Sequence, residues 1–168
     1  MAYLTYVIDH YSSLPPIMAF IHPHRSGFWN AWHTDTPLHD NVYALENLQL
    51  PFVRQNGYVN LRCNTAPGGC NKAPGRNQHI TRQVWQEVFN ETSTPHPNRS
   101  STAMADTDPT LAVACCAQFA VSREQVRKRP LEDYVRIRDW VIHTELSDRK
   151  SGRIMEYLWH VIFGMDPV

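Results

Sequence analysis

Apolar positions first recur at helical spacing near the amino end. In "AYLTYVIDHYSSLPP", Leu4, Val7, Ile8 and Tyr11 share one side before serines and a double proline break the run. A helix ending near Ser12 follows. The continuous apolar run "IMAFI" (17–21) after that turn predicts a strand covered on both faces. "TDTPLHDNVYALENLQL" predicts a second helix, with Thr36 as N-cap, Pro37 at its first position and Leu38, Val42 and Leu45 along one side. "GYVNLRC" alternates like a short strand, with Tyr58, Asn60 and Arg62 on a polar face and Val59 and Leu61 on the other. Ile80, Val84 and Val88, spaced four apart, predict a third helix.

From Asn90 to Pro109 large apolar residues almost vanish in favour of Ser, Thr, Pro, Asn and Asp. Roughly 20 such residues predict a mobile loop at about 90–110, a lid or an insertion within one domain spanning 1–168. "LAVACCAQFAV" then predicts the best buried strand of the chain. "SREQ" after it has the form of a capping box, Ser122 with Gln125, so a strand-to-helix turn is expected. "RPLEDYVRIRDWVIHTEL" carries Leu131, Tyr134, Val135, Val141 and Ile142 on one face. "SGRIMEYLWHVIFG" closes the chain as a helix capped by Ser151 and stopped by Gly164. On that last helix Arg153, Glu156 and His160 share the face opposite Ile154, Leu158 and Val161. Strands interleaved with helices indicate an α/β or α+β domain, a small central sheet flanked by helices.

Length and charge narrow the functional classes. The chain has 168 residues, with 16 Lys plus Arg balancing 16 Asp plus Glu. This balance gives no long-range pull on nucleic acid or an anionic membrane, and neither is expected as a partner. No apolar run approaches the roughly 20 residues that span a bilayer, and no basic segment with an apolar core opens the chain. A soluble, cytoplasmic protein is the expectation. Two N-x-[ST] sequons, at Asn90 and Asn98, would matter only in a secreted protein. Cys115 and Cys116 sit in an apolar run, where reduced cysteines act as small hydrophobes. Cys63 and Cys70 bracket a turn-rich loop whose geometry would admit a disulfide, though their spacing is too wide for a zinc pair.

Chemistry concentrates in "IHPHRSGFWNAWHTD", residues 21–35, which begins where the first strand ends. Ligands gather beyond strand ends in open sheets, so the placement suits a site. His22 and His24 point the same way if the strand continues; His33 joins them after a loop, and Asp35 could orient a ring. Imidazoles near neutrality serve proton transfer, while His22, His24 and His33 are also the candidates for a divalent metal site. Arg25 offers a fixed charge for a carboxylate, phosphate or enolate oxygen. Trp29, Trp32 and Tyr58 would wall an apolar pocket, with Asn60 and Arg62 lining it. Glu156 and His160, one turn apart, form a second pair able to share a proton, on a helix too apolar to be fully solvated. A nucleophilic Cys115 or Cys116 would need a base that the local sequence does not name. No P-loop, GxGxxG turn, HExxH helix or GxSxG elbow is present, so no redox nucleotide cofactor is expected.

The segments "YLTYVIDHYSSLP", "IHPHR", "GYVNLRC", "CCAQFAVSREQVRKRP" and "SGRIMEYLWHVIFG" together resemble an uncharacterised family found mainly in filamentous fungi, often beside natural-product gene clusters. The resemblance covers nearly the whole chain and implies an α/β core and a fungal source. Members of that family also look like distant relatives of GT-A type glycosyltransferases, implying a truncated version of that architecture. The upstream strand that holds the sugar nucleotide in such folds is not expected here. The "DTD" at Asp106 to Asp108 matches a metal-binding D-x-D in letters but lies in the loop at 90–110.

Three functions follow as expectations. The first is a small tailoring enzyme doing acid/base chemistry without a redox cofactor, a cyclisation, isomerisation or dehydration of a polyketide- or terpenoid-like substrate. In it His22, His24 and His33 supply acid and base and Arg25 steadies an oxyanion, with Glu156 and His160 added to the site. The second is a glycosyltransferase-like enzyme using a nucleotide sugar and a divalent metal. The third is a non-catalytic protein whose pocket holds a small hydrophobic ligand.

Overall fold

The computed structural model describes residues 1–62, 80–89, 111 and 113–167. The loop expected at 90–110, both sequons, Asp106 to Asp108, and the Cys63 and Cys70 pair lie outside the described residues. Among the described residues the architecture is mixed helix and sheet, with helices around one three-stranded antiparallel sheet of order β1-β3-β2. Its strands are β1 (Ile17–Phe20), β2 (Tyr58–Asn60) and β3 (Phe119–Ser122). The helices are α1 (Ala2–Asp9), α2 (Phe28–Ala31), α3 (Asn41–Glu46), α4 (Leu50–Asn56), α5 (Arg82–Phe89), α6 (Arg123–Val126), α7 (Leu131–His143) and α8 (Asp148–Ile162). Among the described residues no helix is long and apolar enough to cross a membrane.

β3 is central because all four of its residues are buried, so both its faces and both its edges find partners. Phe20 of β1 and Asn60 of β2 flank Phe119 from either side. The ring of Phe119 is the hub of the core. It lies 5.2 Å from Phe20, 5.1 Å from Tyr58, 5.5 Å from Trp159 and 5.4 Å from Phe163, centroid to centroid. Such offset and tilted pairs each add on the order of 1 kcal/mol beyond the area they bury.

The last helix ends as its sequence foretells. Gly164 takes φ 78°, its N–H reaches Val161 O at 2.9 Å, and Met165 N–H reaches His160 O at 2.9 Å. These two bonds are a Schellman motif, which needs a left-handed residue at Gly164. The remaining terminal carbonyls of α8 take side-chain donors. Gln125 Nε2 donates to Phe163 O at 2.6 Å, and Arg129 donates to Ile162 O at 2.7 Å and Val161 O at 3.2 Å. Gly57, at φ 77°, packs so closely on the Gln125 side chain that a Cβ there would collide with Oε1.

Several elements differ from the pattern-based expectation. β1 is covered on one face only: Met18 and Phe20 are buried while Ala19 is exposed, as suits an edge strand. The helix expected from Thr36 begins instead at Asn41. Asp40 Oδ1 accepts from Val42 N at 2.7 Å and Tyr43 N at 3.2 Å, whereas the Thr36 hydroxyl donates to Asp40 O at 2.9 Å. A carboxylate is the better cap for two amide donors. Pro37–His39 form a 3-10 turn with Leu38 and His39 at positive φ. α8 starts a turn earlier than expected, after Ser147, so Ser151 lies inside it.

The capping box after β3 is half made. Ser122 Oγ accepts from Gln125 N at 3.2 Å, but the Gln125 side chain serves Phe163 instead of returning. The predicted long strand from Leu111 shrinks to Phe119–Ser122, because Cys116 (φ 87°) and Ala117 (φ 49°) turn the chain just before it.

Candidate functional site

At the end of the sheet where β1 stops and β3 begins, two buried amides hold three loop segments together. Gln118, just ahead of β3, accepts from His22 N at 3.0 Å. It donates to Thr34 Oγ1 at 3.3 Å and His33 O at 3.5 Å. Asn41, first residue of α3, accepts from Thr34 Oγ1 at 2.7 Å and donates to His24 O at 2.6 Å. Buried amides of this kind rigidify what they join, because each lost bond would strand a polar group away from water. The loop 21–35 is thereby fixed against the sheet.

This arrangement brings His22 and His33 ring to ring, with centroids 4.2 Å apart at 57°. His33 is 6% exposed, and among the described residues its Nε2 has no hydrogen-bond partner. Burial, joined by the fields of His22, Arg62, His24 and His39, holds the His33 imidazole down to about 4. His22 is also held below the ordinary imidazole value. Its burial and the nearby His24 lower it, against the opposing pull of a hydrogen bond to the Cys116 backbone and the Glu156 carboxylate. Both rings are therefore neutral at pH 7 and can accept protons.

Arg62, buried at 3% exposure, supplies the positive charge beside them. Its Nη1 reaches Cys115 Sγ at 2.8 Å and Cys116 Sγ at 3.0 Å. Its Nε lies 3.7 Å from Asp35 Oδ1, and the Trp32 ring covers the guanidinium at 4.9 Å. The two cysteines are joined to each other as a disulfide of neighbouring residues. Glu156 completes the group: its Oε1 accepts from Cys116 N at 2.9 Å, and its Oε2 pairs with Arg153 at 2.6 Å.

Of the residues singled out from sequence, the structure unites His22, His33, Arg62, Trp32 and Glu156. His24 contributes its carbonyl to Asn41 and its charge to the field on its neighbours, with its side chain toward solvent. Arg25 is exposed, and its backbone carbonyl serves Asn41 N at 2.8 Å. The charge next to the imidazoles comes from Arg62 in its place.

Trp29 stands 89% exposed and walls nothing; Tyr58 is a core ring stacked on Phe119. Asn60 lines a different feature, an apolar groove of about 250 Å³ formed with Tyr43, Leu48, Phe52, Val59 and Leu61. None of the histidines lines this groove. His160 is buried on the core side of α8, its burial holding it below the usual imidazole range, and its Nε2 meets Pro167 O at 3.4 Å. Among the described residues no hydrogen bond or ion pair joins it to Glu156: its ring meets Pro167 O, whereas the Glu156 carboxylate is held by Arg153 and Cys116 N.

Among the described residues, the ligand-type atoms that lie together are Cys115 Sγ, Cys116 Sγ and a Glu156 oxygen, within 4.8 Å of one another, and not the nitrogens of His22, His24 and His33. Sequence reasoning missed the role of this cysteine pair and of Gln118 and Asn41. The available signal was a glutamine set inside "ACCAQFAV", a polar residue in an otherwise apolar run.

The fold and this cluster define a small α+β domain with an imidazole, guanidinium and cysteine site at one end of its sheet. Over residues 1–168 the chain matches a family model described as "Protein of unknown function (DUF3431)", and it belongs to that family. No curated protein and no solved structure matches it.

Proposed function

We propose that this protein is an enzyme of acid/base type, working without a redox cofactor at the cluster of His22, His33, Arg62 and Glu156. The observation that carries this reading is the contact of two neutral imidazoles, one with a buried Nε2 free of any protein partner among the described residues, beside a buried guanidinium. A neutral imidazole near a fixed positive charge removes a proton from a carbon next to a carbonyl while the charge steadies the resulting enolate oxygen. His22 and His33 share the base role. Arg62 is the oxyanion partner, and Glu156 fixes the Cys116 amide beside it.

This chemistry suits a cyclisation, isomerisation or dehydration of a small, carbonyl-bearing, polyketide- or terpenoid-like molecule, in keeping with the fungal biosynthetic setting that the sequence resemblance implies. The reading is tested by hydrogen–deuterium exchange at the acidic carbons of a panel of cyclic 1,3-diketones and β-keto thioesters. Enzyme-accelerated exchange is expected, falling about 100-fold or more in His22→Ala and His33→Ala variants that keep their fold. Exchange at the buffer rate across the panel, or unchanged rates in both variants, contradicts the reading.

A further inference from the structure

Cys115 and Cys116 lie outside the acid/base roles assigned above, yet charged side chains meet both of them. One Arg62 nitrogen reaches both sulfurs, and Glu156 holds the amide between them. Neutral sulfur is a weak acceptor, so placing a buried guanidinium on two sulfurs gives little to the oxidised pair. The same guanidinium gives much to a thiolate, the form in which sulfur is a strong acceptor and a nucleophile.

We propose that Cys115 and Cys116 are a reversible dithiol–disulfide centre that exchanges with small thiols, with Arg62 as the residue that receives the thiolate released on reduction. In the first step a thiolate of an external dithiol attacks one sulfur of the pair. The Cys115–Cys116 bond breaks, a mixed disulfide forms, and the freed protein sulfur leaves as a thiolate against Arg62. The second thiol of the reagent then attacks the mixed disulfide. The reagent departs as its own cyclic disulfide, and its two electrons and remaining proton have passed to the cysteines, leaving one thiol and one thiolate held by Arg62. Each cysteine keeps slight exposure, 6% for Cys115 and 8% for Cys116, a route for a small thiol and not for a protein partner.

The turn that carries the pair leads directly into Gln118, which holds His22, His33 and Thr34. The thiol centre therefore sits at the root of the loop 21–35, but its own readout does not depend on any acid/base activity.

The test uses the full chain carrying Cys63→Ser and Cys70→Ser, so that only Cys115 and Cys116 respond. The protein is equilibrated in mixtures of reduced and oxidised dithiothreitol, alkylated with iodoacetamide and read by peptide mass spectrometry. Both cysteines are expected to pass together between unlabelled and doubly labelled states, and to return to the unlabelled state when the mixture is made oxidising. In the reduced protein, the pH midpoint of alkylation should lie at least one unit below the ordinary thiol value of about 8.5. Arg62→Gln should raise that midpoint and slow labelling at pH 7 by about tenfold, while Arg62→Lys retains part of the effect. Two independent thiols that never rejoin overturn the proposal, as does a wild-type midpoint at or above 8.5 or one unmoved in a folded Arg62→Gln. If Arg62→Gln does not fold, the wild-type midpoint and the reversibility decide alone.

Discussion

Arg129 and Arg62 both bury much of a guanidinium, and they keep very different company. Arg129 spends its donors on strong acceptors: the carbonyls of Ile162 and Val161 at the end of α8, and Asp133 at 3.1 Å. Every one of these partners holds the fold. Among the described residues, the partners of Arg62 include two sulfurs, a carboxylate 3.7 Å away and an indole face, beside two neutral imidazoles. Those partners are weak or ionisable, so its environment changes with protonation and redox state. A guanidinium surrounded by backbone carbonyls is a cap; one surrounded by titratable groups is a candidate for a functional site.

The contrast breaks first if Arg129 proves dispensable. Arg129→Met strands two helix-end carbonyls and leaves the partly buried Asp133, among the described residues, with Arg136 at 3.2 Å. A loss of about 3 kcal/mol in urea unfolding is expected, and a loss below about 1 kcal/mol would mean the cap is decorative.

The next effect belongs to the cluster around Arg62. The folded His33 ring takes its proton only near 4, while an unfolded imidazole does so near 6.5. Between those values the unfolded chain binds more protons, so stability present above pH 6.5 is lost as pH falls toward 4. His33 alone should remove about 2 kcal/mol between pH 7 and pH 5, and His22 and His160, also held low, act in the same direction. Unfolding midpoints measured across that range should show a clearly flatter profile for His33→Gln. An unchanged profile would mean that the ring is already solvated.

The smallest effect sharpens the boundary of the site. Trp29→Ala should change stability by less than about 0.5 kcal/mol and leave exchange activity intact, because the ring stands in solvent. A large loss in exchange rate alone would instead place Trp29 over the bound substrate.

Periodicity made the main frame legible. The spacing of Leu4 and Val7, the run "IMAFI" and the "YLWHVIFG" ending with its left-handed Gly164 all find their elements. What it hid were places where a local polar contact overrides propensity. Asp40 outcompetes Thr36 as a cap, and nothing in the apolar letters of "LAVACC" marks the left-handed turn at Cys116 and Ala117.

The candidate site was half legible. Histidines beyond a strand end pointed to the candidate cluster, but which rings meet depends on Gln118 and Asn41, whose partners are up to 96 positions away in the chain. Trp29 and Trp32 read alike, yet only Trp32 lies over a charge, because α2 turns one indole outward and its end turns the other back toward Arg62.

The most direct test of the central claim is an NMR pH titration of the imidazole nitrogens, assigned through His22→Ala and His33→Ala. Both rings should be neutral at pH 7, with the His33 midpoint near 4 and a change in the His33 midpoint when His22 is removed. A His33 midpoint near 6.5 that ignores the loss of His22 would contradict a buried, mutually coupled pair of bases.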